Sequence, residues 1–432
     1  MMIRIALITS LLAITASQAF GNDADQSLEK ARTALLSGDT ATAERELAQS
    51  QGASDINDYD FLRGTLAVQQ KDYDTAIAAF RAMLSRDPTL NRVRLDLAQA
   101  YYLKGDDIAA TYHFRAAVAQ GLPPEVAANV TKYLEDIRRR KRWDASMSLA
   151  LAPDTNINAA TTADSVTLFG LPFVLDPAAQ KKSGIGVTGS AAGSYRFVVS
   201  DNVRLKMGAA GYATEYGNAD YSDRNISANI GPVFVRGGDD EVGISAIASR
   251  RWFGGKGFTQ SMGVRIEGQK TLSPRWMWSA GASWENRDYD AAQYDDYDGR
   301  VYTGYTSLTY ALDAASLLQG SAALVREHTN LDALRAWQYI GGVNYYRENL
   351  WQRFAVGVGV QPALIRYDAP LLVFGKTRRD TQVDYRISLS NAYIDWWGFT
   401  PVVSYVHSDR YSNINLYTYH RDRGEIGIRR NF

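Results

Sequence analysis

The sequence predicts two fold classes in series: a short helical solenoid of tetratricopeptide type, then an antiparallel outer-membrane β-barrel of about fourteen strands. Three observations predict it. Apolar residues recur every three to four positions upstream of Arg138 and every second position downstream of Trp143, a change from helical to strand period. The upstream part repeats at about 34 residues, as stacked helix pairs do. The downstream part sets a uniformly apolar face against one carrying charge and glycine, along segments of about 10 to 14 residues, longer than a globular sheet uses.

The totals are compatible with this. A chain of 432 residues holds two domains. Its 47 Lys and Arg balance 47 Asp and Glu, which leaves no footprint for nucleic acid. The absence of cysteine excludes disulfides and thiolate metal sites. Four scattered histidines are too few for a metal cluster, so neither metal nor cofactor is expected. The 26 Tyr and 9 Trp are the unusual figures, because such rings favour boundaries with one apolar and one wet side.

Residues 1–19 read as a signal peptide: Arg4, an apolar core from Ile5 to Ala16, then Ser17-Gln18-Ala19 as a small-x-small cleavage site. No later apolar run reaches the length of a spanning helix, about 18 residues. Any membrane crossing must therefore be made by strands.

Residues 23–142 form the helical domain. Gly64, Ala76, Phe80 and Pro88 fall at the spacings of one tetratricopeptide repeat, and Ala98, Tyr101, Ala110 and Phe114 at those of the next. Gly105-Asp106 makes that repeat's turn and Pro123-Pro124 ends it, while Ala43 and Leu47 mark an earlier, degenerate copy. The small residue lets two helices approach and the large one fills between them. These positions are core. A stack of this kind offers a concave face lined by the first helix of each repeat. In this register Asp58, Thr65, Gln69, Arg92, Gln99 and Tyr102 line it, as a docking site for a client polypeptide.

Residues 143–432 form the barrel. Ile226, Ala228, Ile230, Pro232 and Phe234 share one face, as do Met262, Val264 and Ile266, and Trp276, Trp278, Ala280, Ala282 and Trp284. In a soluble sandwich those faces would meet a second sheet; in a barrel they meet lipid. Aromatics gather at strand ends as a girdle would: Trp143, Tyr195, Phe197, Tyr212, Tyr216, Trp252, Phe253, Tyr289, Tyr302, Trp351, Tyr367, Trp396 and Trp397. Tight turns at 200–202, 237–240, 273–275, 313–315 and 349–350 alternate with long loops at 152–182, 217–223, 288–298, 329–335 and 369–376, the periplasmic and extracellular asymmetry of such barrels. The last strand ends on Ile426, Ile428 and Phe432, a pattern like the one that barrel-assembly machinery reads; Arg430 departs from it.

Covalent chemistry is not indicated. His407-Ser408-Asp409 are neighbours on one strand and point to opposite faces, so they cannot align as a triad. The acidic loop from Asp288 to Asp298 lacks the ligand order of a calcium loop and reads as solvated. Lys376, Arg378 and Arg379 could meet anionic lipopolysaccharide at the rim. Arg138–Arg142 would lie at the periplasmic mouth, facing lipid phosphates or acidic residues of a client.

The order of signal peptide, short tetratricopeptide array and barrel resembles the surface lipoprotein assembly modulators (Slam), outer-membrane translocons of the type XI secretion family. Trp143 followed by Ala152-Pro153-Asp154-Thr155-Asn156-Ile157-Asn158-Ala159 looks like that family's run into its barrel, with Trp143, Pro153, Asp154, Asn156 and Asn158 as its motif. Ser412–Tyr417 and Arg430-Asn431-Phe432 look like its final hairpin. The resemblance implies a Gram-negative outer membrane, a periplasmic helical domain and no enzyme activity. It implies passage of a client protein, a surface lipoprotein or haem-binding secreted partner, to the cell surface. An exopolysaccharide exporter and a diffusion porin are the alternatives; the first needs many more repeats and the second none.

Overall fold

The computed structural model describes residues 23–432 apart from 141, 170, 177–178, 238–239, 314, 349–353, 392–393 and 395. The signal peptide read at 1–19, the turn at 349–350 and Trp351 lie outside the described residues. The chain packs as two units that divide after Asp106.

The first unit holds α1 (Asp23–Ser37), α2 (Thr40–Gln49), α3 (Ile56–Gln69), α4 (Tyr73–Arg86) and α5 (Asn91–Lys104). Three of these start on an aspartate whose side chain accepts a backbone N–H of the first turn: Asp39 from Thr42, Asp55 from Asn57 and Asp58, Asp72 from Thr75. Gly105 ends α5 in the left-handed region, at φ 89°, where a side chain would be strained. The repeat positions are buried as their spacing requires: Ala43, Leu47, Ala76, Phe80, Ala98 and Tyr101. A Cβ on Gly64 would stand 2.5 Å from the Phe80 ring, so the missing side chain sets how closely α3 meets α4.

The second unit begins with α6 (Asp107–Ala119) and α7 (Pro124–Arg140). Arg140 of α7 pairs with Asp107 at 2.5 Å, so this member of the basic run is engaged within the chain. Helix gives way to strand between Arg140 and Trp143. Fourteen antiparallel strands then close on themselves. They are β1 (Trp143–Asp154), β4 (Gly184–Val198), β5 (Val203–Tyr216), β6 (Asp223–Gly237), β7 (Asp240–Phe253), β8 (Lys256–Ser273), β9 (Trp276–Tyr289), β10 (Gly299–Asp313), β11 (Ser316–Thr329), β12 (Ala336–Arg347), β13 (Ala355–Leu371), β14 (Lys376–Ser390), β15 (Thr400–Ser412) and β16 (Tyr419–Asn431). A separate hairpin, β2 (Ser165–Leu168) with β3 (Leu171–Val174), sits inside the first long loop. Arg275, in the β8–β9 turn, donates from Nε to the Ala119 carbonyl at 2.8 Å and fastens α6 to that end of the barrel.

The barrel is inverted relative to a soluble protein. Met262, Ile426 and Leu151 are 68 %, 60 % and 56 % exposed on its outer face, a surface that hydrocarbon covers. One expectation about the connections changes. The long loop expected at 369–376 shrinks to Leu372–Gly375, because β13 and β14 keep pairing through Pro370–Thr377 and Leu371–Lys376 after a shift of register. At the same end β7 and β8 are joined only by Gly254 and Gly255, both at positive φ. The aromatic girdle also divides. Tyr216 reaches the buried Asp154, and Tyr289 packs with Phe258, Tyr294 and Tyr297. Alternation puts Tyr212, Tyr216, Phe253, Tyr289 and Tyr367 on the inner face near the extracellular mouth, whereas Trp143, Tyr195, Phe197, Trp252 and Tyr302 face out.

The chain's end explains the departure at Arg430. Its guanidinium donates to the Trp397 carbonyl at 2.7 Å and lies 4.3 Å from the Phe432 ring centroid. The Phe432 N–H is held by the Ala145 carbonyl at 2.8 Å, and its ring lies 6.4 Å from that of Trp143.

Candidate functional site

The inner face of the barrel is built by the same alternation that makes its outer face apolar. Where β12 and β14–β16 curve together they enclose a cavity of about 580 Å3. Its lining includes Tyr346, Arg386, Arg421, Arg423, Glu425 and Arg429, with four serines between them. The inward positions of the intervening β13 are small, and Gly357 and Gly359 leave room for Tyr346 and Asn344 beside them. Four guanidinium groups face one carboxylate, so this wall is positively charged. Arg423 pairs with Glu425 at 3.0 Å and donates to the Thr188 hydroxyl.

At its extracellular end the cavity meets Asp154, whose side chain is fully buried. Asp154 accepts from Arg421 at 2.5 and 3.0 Å, from the Tyr216 hydroxyl at 3.2 Å and from the Asn156 N–H at 2.8 Å. A buried carboxylate persists only when paired and hydrogen-bonded in this way. Asn156, also fully buried, closes a loop onto itself: its amide donates to the Ala160 carbonyl and accepts the Ala160 N–H, both at 2.9 Å. Asn158 does the same for the returning chain, donating to Gln180 and accepting from Lys182.

From this knot the 155–183 segment extends over its neighbours. Thr161 donates to the Asn415 carbonyl at 2.7 Å, and the Phe169 N–H to the Val373 carbonyl at 2.8 Å. It thus engages both the β15–β16 connection and the β13–β14 turn. Beneath that turn the Arg378 guanidinium lies 3.3 Å from the Tyr417 ring centroid and 4.9 Å from that of Tyr367. Arg378 and Arg410 both pair with the buried Asp380. Burial and nearby Tyr417 push the Tyr297 phenol up. Loop chain, aromatic rings and guanidinium groups thus meet on this side of the barrel end.

The barrel's closing seam is its least paired. β1 pairs with β4 from Trp143 through Asp154, but with β16 only from Ser146 to Leu151, and then again at Asp154. The break falls at Pro153, which has no N–H to donate. Its ring carbon would lie 3.3 Å from a Cβ on Gly424 across the seam.

The residues singled out from sequence are placed as follows. Trp143 stands at the start of β1, while Pro153, Asp154, Asn156 and Asn158 gather at its opposite end. The motif thus spans the barrel wall instead of marking one point of it, and its polar members build the latch just described. Sequence reasoning did not single out Arg421, Arg423 or Arg386 as site residues: Arg386 alternates with outward Tyr385 and Ile387, whereas Arg421 and Arg423 are flanked by His420, Asp422 and Gly424 and carry no such signal. In the helical unit Asp58 pairs with Arg32 at 2.6 Å and Arg92 with Asp96 at 3.3 Å. The Thr65 hydroxyl is taken by the Phe61 carbonyl of its own helix, and Gln69 is exposed.

Other candidates resolve against chemistry. Ser408 lines the cavity while His407 and Asp409 meet on the outer face at 3.2 Å, so no triad forms. In the acidic loop Asp290 is held by Arg250 and Asp298 caps the Tyr289 N–H. No group of His, Asp and Glu among the described residues could hold a metal ion. Arg378 corrects the expected lipopolysaccharide trio: it turns inward to Asp380 and Tyr417, leaving Lys376 and Arg379 exposed.

Two family models match the two parts of this architecture. The family described as surface lipoprotein assembly modifier matches residues 143–432, and its N-terminal tetratricopeptide repeats match residues 32–114. The chain is 23 % identical to surface lipoprotein assembly modifier 1 of Neisseria meningitidis over 86 % of this chain and 75 % of that protein. It is 20 % identical to the hemophilin secretion modulator of Acinetobacter baumannii over 83 % and 76 %. The outer-membrane channel DcaP of Acinetobacter baumannii aligns at 9 % identity and a TM-score of 0.41, over 68 % of this chain and 98 % of that one. With that family's model matching the whole fourteen-strand barrel and its repeat model matching the helices before it, the chain belongs to the surface lipoprotein assembly modifier family.

Proposed function

We propose that this protein is a translocon that delivers a client polypeptide from the periplasm to the cell surface. The client is a surface lipoprotein or a secreted partner, the two kinds of cargo that the relatives' names carry. The helical unit docks it through the face bearing Asp58, Thr65, Gln69, Arg92, Gln99 and Tyr102. The barrel provides the path, and Ile426, Ile428 and Phe432 serve as the signal by which assembly machinery inserts it. Lys376 and Arg379 lie where they can meet lipopolysaccharide.

The observation that carries this reading is the tethered first loop. Buried Asp154 and Asn156 fix its root, and Thr161 and Phe169 bind it to the β15–β16 connection and the β13–β14 turn, an anchoring that a diffusion pore does not need. A tether that can be released suits a path used on demand. The weak β1–β16 seam beside it lets such a release widen the barrel laterally. No covalent step is required.

The test is to co-express the chain with a protein encoded beside it and treat intact cells with protease. The neighbour becomes protease-sensitive with the full chain and stays protected when Asp23–Arg142 is deleted. Identical digestion patterns with and without the chain would instead support a porin.

A further inference from the structure

The charged wall of the cavity carries a more specific reading, which rests on the translocon function above and names the chemistry of what passes. We propose that the inner face of β14–β16 is a binding track for an acidic, extended polypeptide segment of the client.

Charge is the first argument. The lining holds Arg386, Arg421, Arg423 and Arg429 against Glu425 as its one carboxylate. Arg421 and Arg423 are engaged, with Asp154 and Glu425. Arg386 and Arg429 make no ion pair or side-chain hydrogen bond among the described residues. Both side chains are exposed to the lumen, so two uncommitted guanidinium groups stand open to donate charge-assisted hydrogen bonds to an anionic ligand.

Spacing is the second. Arg421, Arg423 and Arg429 project from alternate positions of one strand, and β16 rises about 3.4 Å per residue, so they span roughly 27 Å. An extended peptide has the same repeat, and carboxylates on its alternate residues fall opposite these positions. The four serines of the lining supply hydroxyls between the charges for the peptide's backbone groups. A phosphate site would converge its cations on one point, and these are strung along a line.

The lining also argues against lipid. Its aliphatic members are Val402 and Val406 alone, which leaves no surface for acyl chains. The track ends at Asp154, so an arriving carboxylate competes for the Arg421 that anchors the root of the first long loop. Cargo binding and latch release then share one residue.

The experiment uses the full chain purified in detergent micelles and a fluorescent deca-glutamate peptide, with deca-lysine and inorganic polyphosphate as comparison probes. Deca-glutamate binds in a salt-sensitive manner and deca-lysine does not. The double variant Arg386→Gln with Arg429→Gln weakens it at least about ten-fold, ~1.4 kcal/mol, while its heat-modifiable gel mobility stays that of the folded barrel. Arg379→Gln, on the exposed rim, leaves binding unchanged. Equal binding to wild type and double variant overturns the proposal, as does equal loss in Arg379→Gln. Polyphosphate binding through the same two arginines without deca-glutamate binding shows a phosphate site and also overturns it. In cells, the double variant loses client display. If display survives in it yet is lost on deletion of Asp23–Arg142, the track fails and the translocon stands; if neither change affects display, the translocon reading itself fails.

Discussion

Arg421 on the last barrel strand grips Asp154 at the end of the first, with Nη2 and Nε at 2.5 and 3.0 Å from the same carboxylate oxygen. The pair spans the seam just beyond Pro153, where the ladder has lapsed and resumes at Asp154. A side-chain clasp therefore reinforces the seam next to its weakest stretch.

Breaking that clasp should loosen the barrel. Asp154→Asn leaves Arg421 partly buried without its counter-charge, a change that costs about 3 to 5 kcal/mol for buried pairs. The expected outcome is a lower temperature of heat-modifiable unfolding on gels and a higher conductance in planar bilayers, since the Asn156 loop loses its anchor. Wild-type values on both readouts would show that the loop is held elsewhere.

The seam can be locked because the chain has no cysteine of its own. Leu149 and Ile428 are direct partners across β1 and β16, and directly opposed Cβ atoms lie about 5 Å apart. Leu149→Cys with Ile428→Cys should oxidise and stop client display until reductant is added. Leu151→Cys with Val187→Cys, across the fully paired β1–β4 ladder, should not. Equal behaviour of the two pairs would place the route wholly inside the lumen.

Gly64→Ala tests the helical packing. The new methyl meets the Phe80 ring at 2.5 Å, and overpacking of this kind costs about 1 to 3 kcal/mol. Thermal melting followed by far-ultraviolet circular dichroism should show the helical transition moving down while the barrel's does not. Adding Phe80→Leu should recover part of the loss.

Acid should act on the helices through their caps. Hydrogen bonds from Thr42 and Thr75 hold the Asp39 and Asp72 carboxyls below the ordinary value of 3.8. A depressed folded pKa means stability that is present above that ordinary value and lost as pH falls through the lower, folded one. Helical signal should therefore decline below about pH 4. Asp39→Asn with Asp72→Asn, which still caps but does not titrate, should flatten that decline.

The division of the fold was readable because both periods are local. Ala43, Ala76, Phe80, Ala98 and Phe114 are buried where a repeat of helix pairs puts them, and each follows from spacing alone. Fourteen strands could be counted because each must alternate on its own to meet lipid on one side. The aromatic girdle was only half readable. Tyr216 and Tyr289 sit at strand ends like Trp143, yet a one-residue difference in parity turns them into the mouth.

What the sequence determined by itself was the sequence of periods: helices in pairs, then strands with one oily face, then a last strand ending in an aromatic residue. These depend on neighbours within a few positions, so a linear pattern carries them. Tertiary structure alone decided that Asp154 meets Arg421, that Asn156 ties down a loop reaching Asn415 and Val373, and that four arginines share one wall. Those contacts join residues up to 267 positions apart. They exist only once the first and last strands have closed, because closure is what brings opposite ends of the chain within reach of a single guanidinium.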